Sequence, residues 1–135
     1  MSIRKKGLLR IVVCLIAAVL LLAGNSDAAT FTVTTNADSG PGSLRQAVLD
    51  ANATVDLDEI QVDAGVGVIT LASEINISDS LIIKGGGVTV KGSSTRLFSV
   101  TGGTAGFDRI TFTGGKSFSS NGGAVNIDGA AKADF

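Results

Sequence analysis

The chain has 135 residues with 11 basic and 12 acidic side chains, a net charge of −1, one cysteine, and no histidine, tryptophan or tyrosine. Without histidine, Ser-His-Asp and Cys-His catalysis and histidine metal sites are excluded, and only phenylalanine is left to stack on sugars or bases. At this length the chain holds one domain at most.

Met1 to Ala28 carries the three regions of a secretory signal in order. Arg4, Lys5, Lys6 and Arg10 form a positive start, Ile11 to Ala23 is an unbroken apolar run, and Gly24-Asn25-Ser26-Asp27-Ala28 supplies a break and small residues. That run suits a signal peptide and is short for a bilayer span, which needs about 20 residues. Ser26 and Ala28 fit the small −3 and −1 positions of a cleavage site after Ala28. A cut after Ala29 would place Asp27 at −3, which is less favourable. The rival is an uncleaved anchor extended through Gly7 to Leu9.

Cys14 lies inside the signal, so the mature chain has neither disulfide nor thiol chemistry. It is no lipoprotein cysteine, because Val13 precedes it where a small residue is required. The signal takes four of the 11 basic side chains and one of the 12 acidic ones, so the mature chain from Ala29 to Phe135 is acidic, with a net charge of −4. No basic run survives, so nucleic acid is not an expected partner, and the mature chain contains no membrane span. The expected location is exported: extracellular, cell surface or periplasm.

Thr30 to Thr35 alternates threonine with Phe31 and Val33, the period-2 pattern of a strand with one buried face. Asn36 to Gly42 is a turn rich in Asn, Asp, Ser and Gly, with the only proline. Ser43 then opens a helix as N-cap, and Gln46 three residues on completes a capping box. Leu44, Ala47, Val48 and Ala51 make a narrow apolar stripe at helical spacing. A lone strand and short helix ahead of any repeat suit the cover of a solenoid's open end.

Gly42-Ser43-Leu44-Arg45-Gln46-Ala47 resembles the Cys-Ser-Leu-Arg-Glu-Ala segment at the N-terminus of many exported bacterial β-helix proteins. Gly42 stands in place of Cys and Gln46 in place of Glu.

From Ile60 onward short β-branched runs recur: Val68–Leu71, Ile75–Ile77, Leu81–Ile83, Val88–Val90, Leu97–Val100, Arg109–Phe112 and Ala124–Ile127. Runs this short, closely spaced and without helices between them fit an all-β solenoid or a sandwich. The solenoid is preferred because hairpin dipeptides are missing between the early runs. In addition, Gly85, Gly92, Gly114 and Gly129 each follow a run in the same way, as a repeated corner at positive φ requires. No strict period emerges, since the step from Ile75 to Leu97 is shorter than the step from Leu81 to Ile110.

Phe118-Ser119-Ser120-Asn121-Gly122-Gly123-Ala124-Val125 resembles the Phe-x-x-Asn and Gly-Gly-Ala-Val repeat of polymorphic outer membrane proteins. These are exported bacterial surface proteins built on right-handed parallel β-helices. The resemblance implies that fold, with an adhesin-like role on the cell surface and a host or cell-surface glycan or protein as partner. The family's further repeats and C-terminal membrane barrel have no counterpart in these 135 residues.

Each candidate chemical site has a plainer reading. Asp56, Asp58, Glu59 and Asp63 lack the spacing of a calcium loop and read as solvated charge after the helix. Gly102-Gly103-Thr104-Ala105-Gly106-Phe107-Asp108 approximates a calcium β-roll repeat but occurs once, so it reads as a glycine-rich corner loop. Lys84-Gly85-Gly86-Gly87 precedes a strand rather than a helix and is no phosphate loop. The sequons at Asn52 and Asn76 read as chance, and Asn121 as a corner asparagine that bonds neighbouring backbone. Asp79, Asp108 and Asp128 are the candidate acids of a carbohydrate-active β-helix enzyme, the alternative reading, and Arg109 next to Asp108 is the only adjacent acid–base pair after Ile60.

The expectation is therefore a mainly β chain: signal peptide over 1–28, capping strand and helix over 29–59, and right-handed parallel β-helix rungs over 60–135. No catalytic, metal or cofactor site is expected. Ala133-Asp134-Phe135 reads as the opening of another strand, so the chain is expected to be the N-terminal part of a longer protein and to self-associate through an uncapped last rung. A purely structural segment of such a protein is the third reading.

Overall fold

Nine strands and one helix occur among residues 27–117, 123–128 and 130–135, the part of the chain that the computed structural model describes. Alternation of Thr with Phe31 and Val33 produces β1 (Thr30–Val33), and the turn after it leads into α1 (Leu44–Ala51). Ser43 is the N-cap: its backbone is extended, and its Oγ accepts the Gln46 N–H at 3.2 Å. The second half of the expected capping box is not made. The Ser43 N–H already donates to the Gly40 carbonyl, so the Gln46 amide donates forward to Asp50 Oδ1 at 2.8 Å instead.

Leu44, Ala47, Val48 and Ala51 are the buried face of α1, the stripe read from helical spacing. That face packs against β1, β2 and β4. Arg45 fastens the helix start to the turn before β4. Its guanidinium donates to the Asp38 carbonyl and Oδ1 at 3.3 and 2.9 Å, and to the Ser73 and Glu74 carbonyls at 2.7 and 2.9 Å. A lysine ammonium cannot span acceptors on two separate turns, since it lacks the planar fork. Arg45→Lys is expected to cost about 1.5–3 kcal/mol, the range for bonds to a charged group. Urea midpoints measure it, and an unchanged midpoint would show the clamp to be incidental.

The remaining strands are β2 (Asp58–Val62), β3 (Val68–Leu71), β4 (Ile75–Ile77), β5 (Leu81–Gly92), β6 (Phe98–Val100), β7 (Thr104–Thr113), β8 (Val125–Ile127) and β9 (Lys132–Asp134). One sheet runs β1-β2-β5-β7-β9, with β3 beside the second half of β5; the other runs β4-β6-β8. Every pairing is parallel. Each strand lies beside one that follows after a long connection and never beside its immediate successor, β1 with β2 excepted. Thr30 pairs Glu59, Val68 pairs Thr89, Ile75 pairs Phe98 and Leu81 pairs Ala105.

The register aligns apolar columns across the strands. Phe31, Ile60, Ile83 and Phe107 form one; Ile69, Val90 and Phe112 a second; Ile75, Phe98 and Val125 a third. Ile60, Ile69, Ile83, Val90 and Phe98 are fully buried, and each such side chain contributes about 1.5–3 kcal/mol by leaving water. At the level of β6 and β7 the core is aromatic, with the Phe98, Phe107 and Phe112 rings 5.3 to 5.8 Å apart in tilted and edge-on contacts.

Three expectations change. The runs Leu81–Ile83 and Val88–Val90 are two halves of one strand, β5, that continues through a bend; Leu81 consequently aligns with Ala105, not Ile110. The acidic stretch 58–63 contains β2, because Asp58, Ile60 and Val62 share a buried face and alternate with Glu59 and Gln61 on the outer one. Finally, Gly85 and Gly92 are not at positive φ, whereas Gly114 is at 64°. At Gly92 sterics decide: an added Cβ would lie 2.8 Å from the carbonyls of Gly114 and Thr95. Gly129 and residues 118–122, with the Phe118–Asn121 motif, lie outside the described residues.

The bend shortens from strand to strand. Positions 62–67 separate Gln61 from Val68, positions 85–88 separate their partners Lys84 and Thr89, and only Arg109 and Ile110 separate the next pair, Asp108 and Thr111. The tightest version places Arg109 at φ 52°, a left-handed conformation uncommon for a side-chain-bearing residue. Its exposed guanidinium lies 3.5 Å from the Asp108 carboxylate.

Candidate functional site

The outer face of the larger sheet carries a concavity of about 610 Å³. Its floor is apolar, made by Leu57, Ile82 and Gly106. Ser80, Thr104, Asp108 and Asp134 supply the polar positions. The strands set this arrangement. Ile82, Gly106 and Asp134 form one outward column across β5, β7 and β9, and Asp108 stands two residues beyond Gly106 on the same face. Gly106 keeps the floor flat, because a side chain there would begin 3.2 Å from Ile82 Cγ1. Phe107 and Phe135 border one end, their rings stacked with centroids 5.6 Å apart and 19° from parallel. The volume lies within the range of small-ligand sites, about 300–1,000 Å³.

Chemically the groove offers an apolar floor with carboxylate and hydroxyl acceptors at its edge. The Ser80 Oγ is already engaged, accepting the Thr104 N–H at 3.2 Å. Asp108 and Asp134 are diagonal neighbours on adjacent strands.

The sequence-derived acids do not converge. Asp79 sits in the turn before β5 and accepts the Ser80 N–H at 2.7 Å. Asp128 follows β8 on the other sheet, where its Oδ1 accepts from the Asn126 amide at 2.9 Å. Asp108 alone of the three lines the groove. Asp134, which does share it, was visible only as the start of a strand; no local motif marks it.

The cluster Asp56, Asp58, Glu59 and Asp63 is split by strand alternation. Asp58 turns into the core, and Glu59 turns outward to Lys84, with Nζ 2.6 Å from Oε2. Asp63 lies past the end of β2, where its N–H donates to the Val33 carbonyl. The expected corner loop 102–108 is mostly strand: Gly102 and Gly103 make the corner, and Thr104–Asp108 belongs to β7. Asn52, read as a chance sequon, is a backbone bridge. Its amide donates to the Asn76 carbonyl at 2.9 Å and its Oδ1 accepts the Ser78 N–H at 3.0 Å. This is the role assigned from sequence to Asn121, performed at the end of α1.

The Lys84 bond, and then the Gln61 amide, hold the Glu59 carboxyl below its ordinary value of 4.5. A carboxyl depressed on folding stabilises above the unfolded pKa, and that contribution is lost as pH falls through the folded value. Glu59→Gln should therefore flatten the acid limb of the stability profile and change little near neutrality, where an exposed pair is worth little. Urea midpoints at stepped acid pH check this; parallel acid limbs for the two proteins would contradict it.

No family model, curated protein or solved structure matches this chain. The parallel register, the outward groove and the buried carboxylate are thus the grounds for a functional reading.

Proposed function

We propose that this chain is an exported, non-catalytic, adhesin-like surface scaffold built on a right-handed parallel β-helix, with its signal peptide removed after Ala28. The observation that carries the reading is the parallel register that recurs from one circuit of the chain to the next in both sheets. In a β-helix each turn lies beside the next, so every strand pairs in parallel with one a full turn later. Here β2, β3 and β4 make one turn, the two halves of β5 with β6 the next, and β7 with β8 a third. Helix α1 covers the end of the core at β1, and its burial against β1, β2 and β4 supports that role.

A binding scaffold presents rigid outward positions, and the groove over Ile82 and Gly106 is the surface suited to a glycan or protein partner. Exported mature protein is expected to bind an extracellular glycan or protein ligand immobilised on a surface, and Ile82→Arg to abolish that binding without lowering the melting temperature. Binding that survives Ile82→Arg moves the site elsewhere. N-terminal sequencing of exported protein that begins at Met1 overturns the processing step. Self-association through β9, next to the exposed Phe135, is part of the reading; a strictly monomeric sedimentation profile removes it.

One observation favours the second reading, a carbohydrate-active enzyme: Asp108 and Asp134 share a groove, as paired carboxylates must. Turnover of an acidic polysaccharide that disappears in Asp108→Asn and in Asp134→Asn would replace the scaffold reading with this one.

A further inference from the structure

Asp58 heads an inward column. It is in register with Leu81 on β5, Leu81 with Ala105 on β7, and Ala105 with Ala133 on β9. It is 1% exposed, the only buried acid among the described residues. Its Oδ1 accepts the backbone N–H of Ala29 at 2.7 Å, and its Oδ2 takes the Thr54 hydroxyl. No cationic side chain pairs with it among the described residues. A buried carboxylate with two neutral donors is under-compensated, since desolvation of a full charge calls for an opposite charge as well as hydrogen bonds.

The donor at Oδ1 is the nitrogen that signal removal would convert to an amine. We propose that proteolytic maturation between Ala28 and Ala29 completes the fold, by turning the Ala29 N–H into an α-ammonium that forms an ion pair with the buried Asp58 carboxylate. This rests on the processing step proposed above and adds a structural consequence to it. In the reaction, water hydrolyses the Ala28–Ala29 amide; the acyl side leaves as the Ala28 carboxylate, and the amine takes up a proton at neutral pH. Ladder geometry selects this bond over the next one. The Ala29 carbonyl accepts the Glu59 N–H at 2.8 Å, one step before the Thr30–Glu59 pair, so a cut after Ala29 would remove both the ladder contact and the donor to Asp58. Asp27 and Ala28, by contrast, are exposed.

The charges around the pair favour it. Cleavage after Ala28 releases Asp27, an acid two residues from Ala29. From the linker after α1 comes Thr54 with Asp56; from β2 comes Glu59, which faces outward and is already neutralised by Lys84 of β5. From β5 the register neighbour is Leu81, which is uncharged. Asp58 is thus the carboxylate that hydrogen-bonds to the new amine.

The test uses mature chain released in vitro so that it begins at Ala29, compared with the same chain acetylated at that nitrogen. Acetylation keeps the N–H donor and removes only the charge. An ion-paired α-ammonium has a pKa raised above the free value of about 7.7–8.0, so its stabilisation is full below that value and is lost as pH rises through the folded pKa. The free-amine chain is expected to show an Ala29 pKa raised by about one unit, and a folding constant about tenfold above the acetylated chain near pH 6.5, the advantage vanishing at alkaline pH. Asp58→Asn should abolish the difference between the two forms. If that variant does not fold, the Ala29 titration in the unsubstituted chain decides alone. An ordinary Ala29 pKa, or equal stability of the free and acetylated chains, overturns the proposal. Because the chains are made in vitro, either result is independent of where the signal is cut in the cell; sequencing the exported N-terminus tests that separately.

Discussion

Leu44→Asp should unfold the chain. Leu44 is the first residue of α1 and is 1% exposed within the main core cluster. Removing a buried leucine costs about 2–5 kcal/mol. An aspartate in its place adds the burial of a carboxylate, which costs several kcal/mol more or forces the helix off the core. One term opposes: a negative charge in the first turn of a helix gains about 0.3–1 kcal/mol. It is too small to matter. The sum exceeds about 5 kcal/mol, the lower bound of typical domain stability. Two neighbours serve as controls. Ser43→Ala loses the cap to the Gln46 N–H and the hydroxyl's bond to the Gly40 carbonyl at 2.7 Å, and should cost about 1–2 kcal/mol. Leu49→Asp, on the exposed side of the same helix at 56% exposure, should stay within about 0.5 kcal/mol. Circular dichroism during urea titration reads all three. Leu44→Asp protein with a wild-type midpoint would mean that α1 does not cover the core.

Gly103→Val is the second large effect, and it tests the stacking of the corners. Gly103 has φ 62°, where a β-branched side chain costs about 1–2 kcal/mol from conformation alone. Space is the greater obstacle. A Cβ there would lie 2.5 Å from the Ser80 nitrogen and 2.7 Å from the Asp79 carbonyl carbon, both main-chain atoms of the turn before β5. The Gly103 carbonyl also accepts the Lys132 N–H, and Thr104 donates to Ser80 Oγ, so the corner cannot shift outward without loss of those bonds. Overpacking adds about 1–3 kcal/mol, for a total of about 2–5 kcal/mol. Gly40→Ala isolates the conformational part. Its φ is 92° but nothing lies within 4 Å of the added Cβ, so only about 1–2 kcal/mol is expected. Equal losses at the two glycines would show that corner stacking contributes nothing.

Legibility follows the range of the interactions. The apolar stripe of α1 and its cap at Ser43 were readable because both depend on residues within one or two helical turns. The spans β3 and β4 were readable for a similar reason, since alternation over a few positions is a local pattern. Strand β2 was missed because Asp58 and Glu59 look like solvated charge in isolation. Only a partner on each face distinguishes them: the core with Ala29 for Asp58, and Lys84 for Glu59. The groove was half legible. Asp108 stood out beside Arg109, but Asp134 acquires meaning only from its register with Gly106 on the neighbouring strand.

Local sequence dictates that the chain is mainly β, where its helix begins and which side of that helix is buried. Those features arise from side-chain periodicity and hydrogen bonds between near neighbours, which any segment carries with it. The parallel register came from chain-wide packing, since one run of Ile, Val and Thr pairs as well with another until the corner lengths bring a particular partner alongside. The glycine roles came from packing too: a Cβ at Gly103 would meet the turn at Asp79 and Ser80, whereas a Cβ at Gly40 would meet nothing within 4 Å. Above all, packing settled the fate of Asp58. A carboxylate soon after a short helix reads as surface charge until chain closure places it in a core column, facing the nitrogen of Ala29.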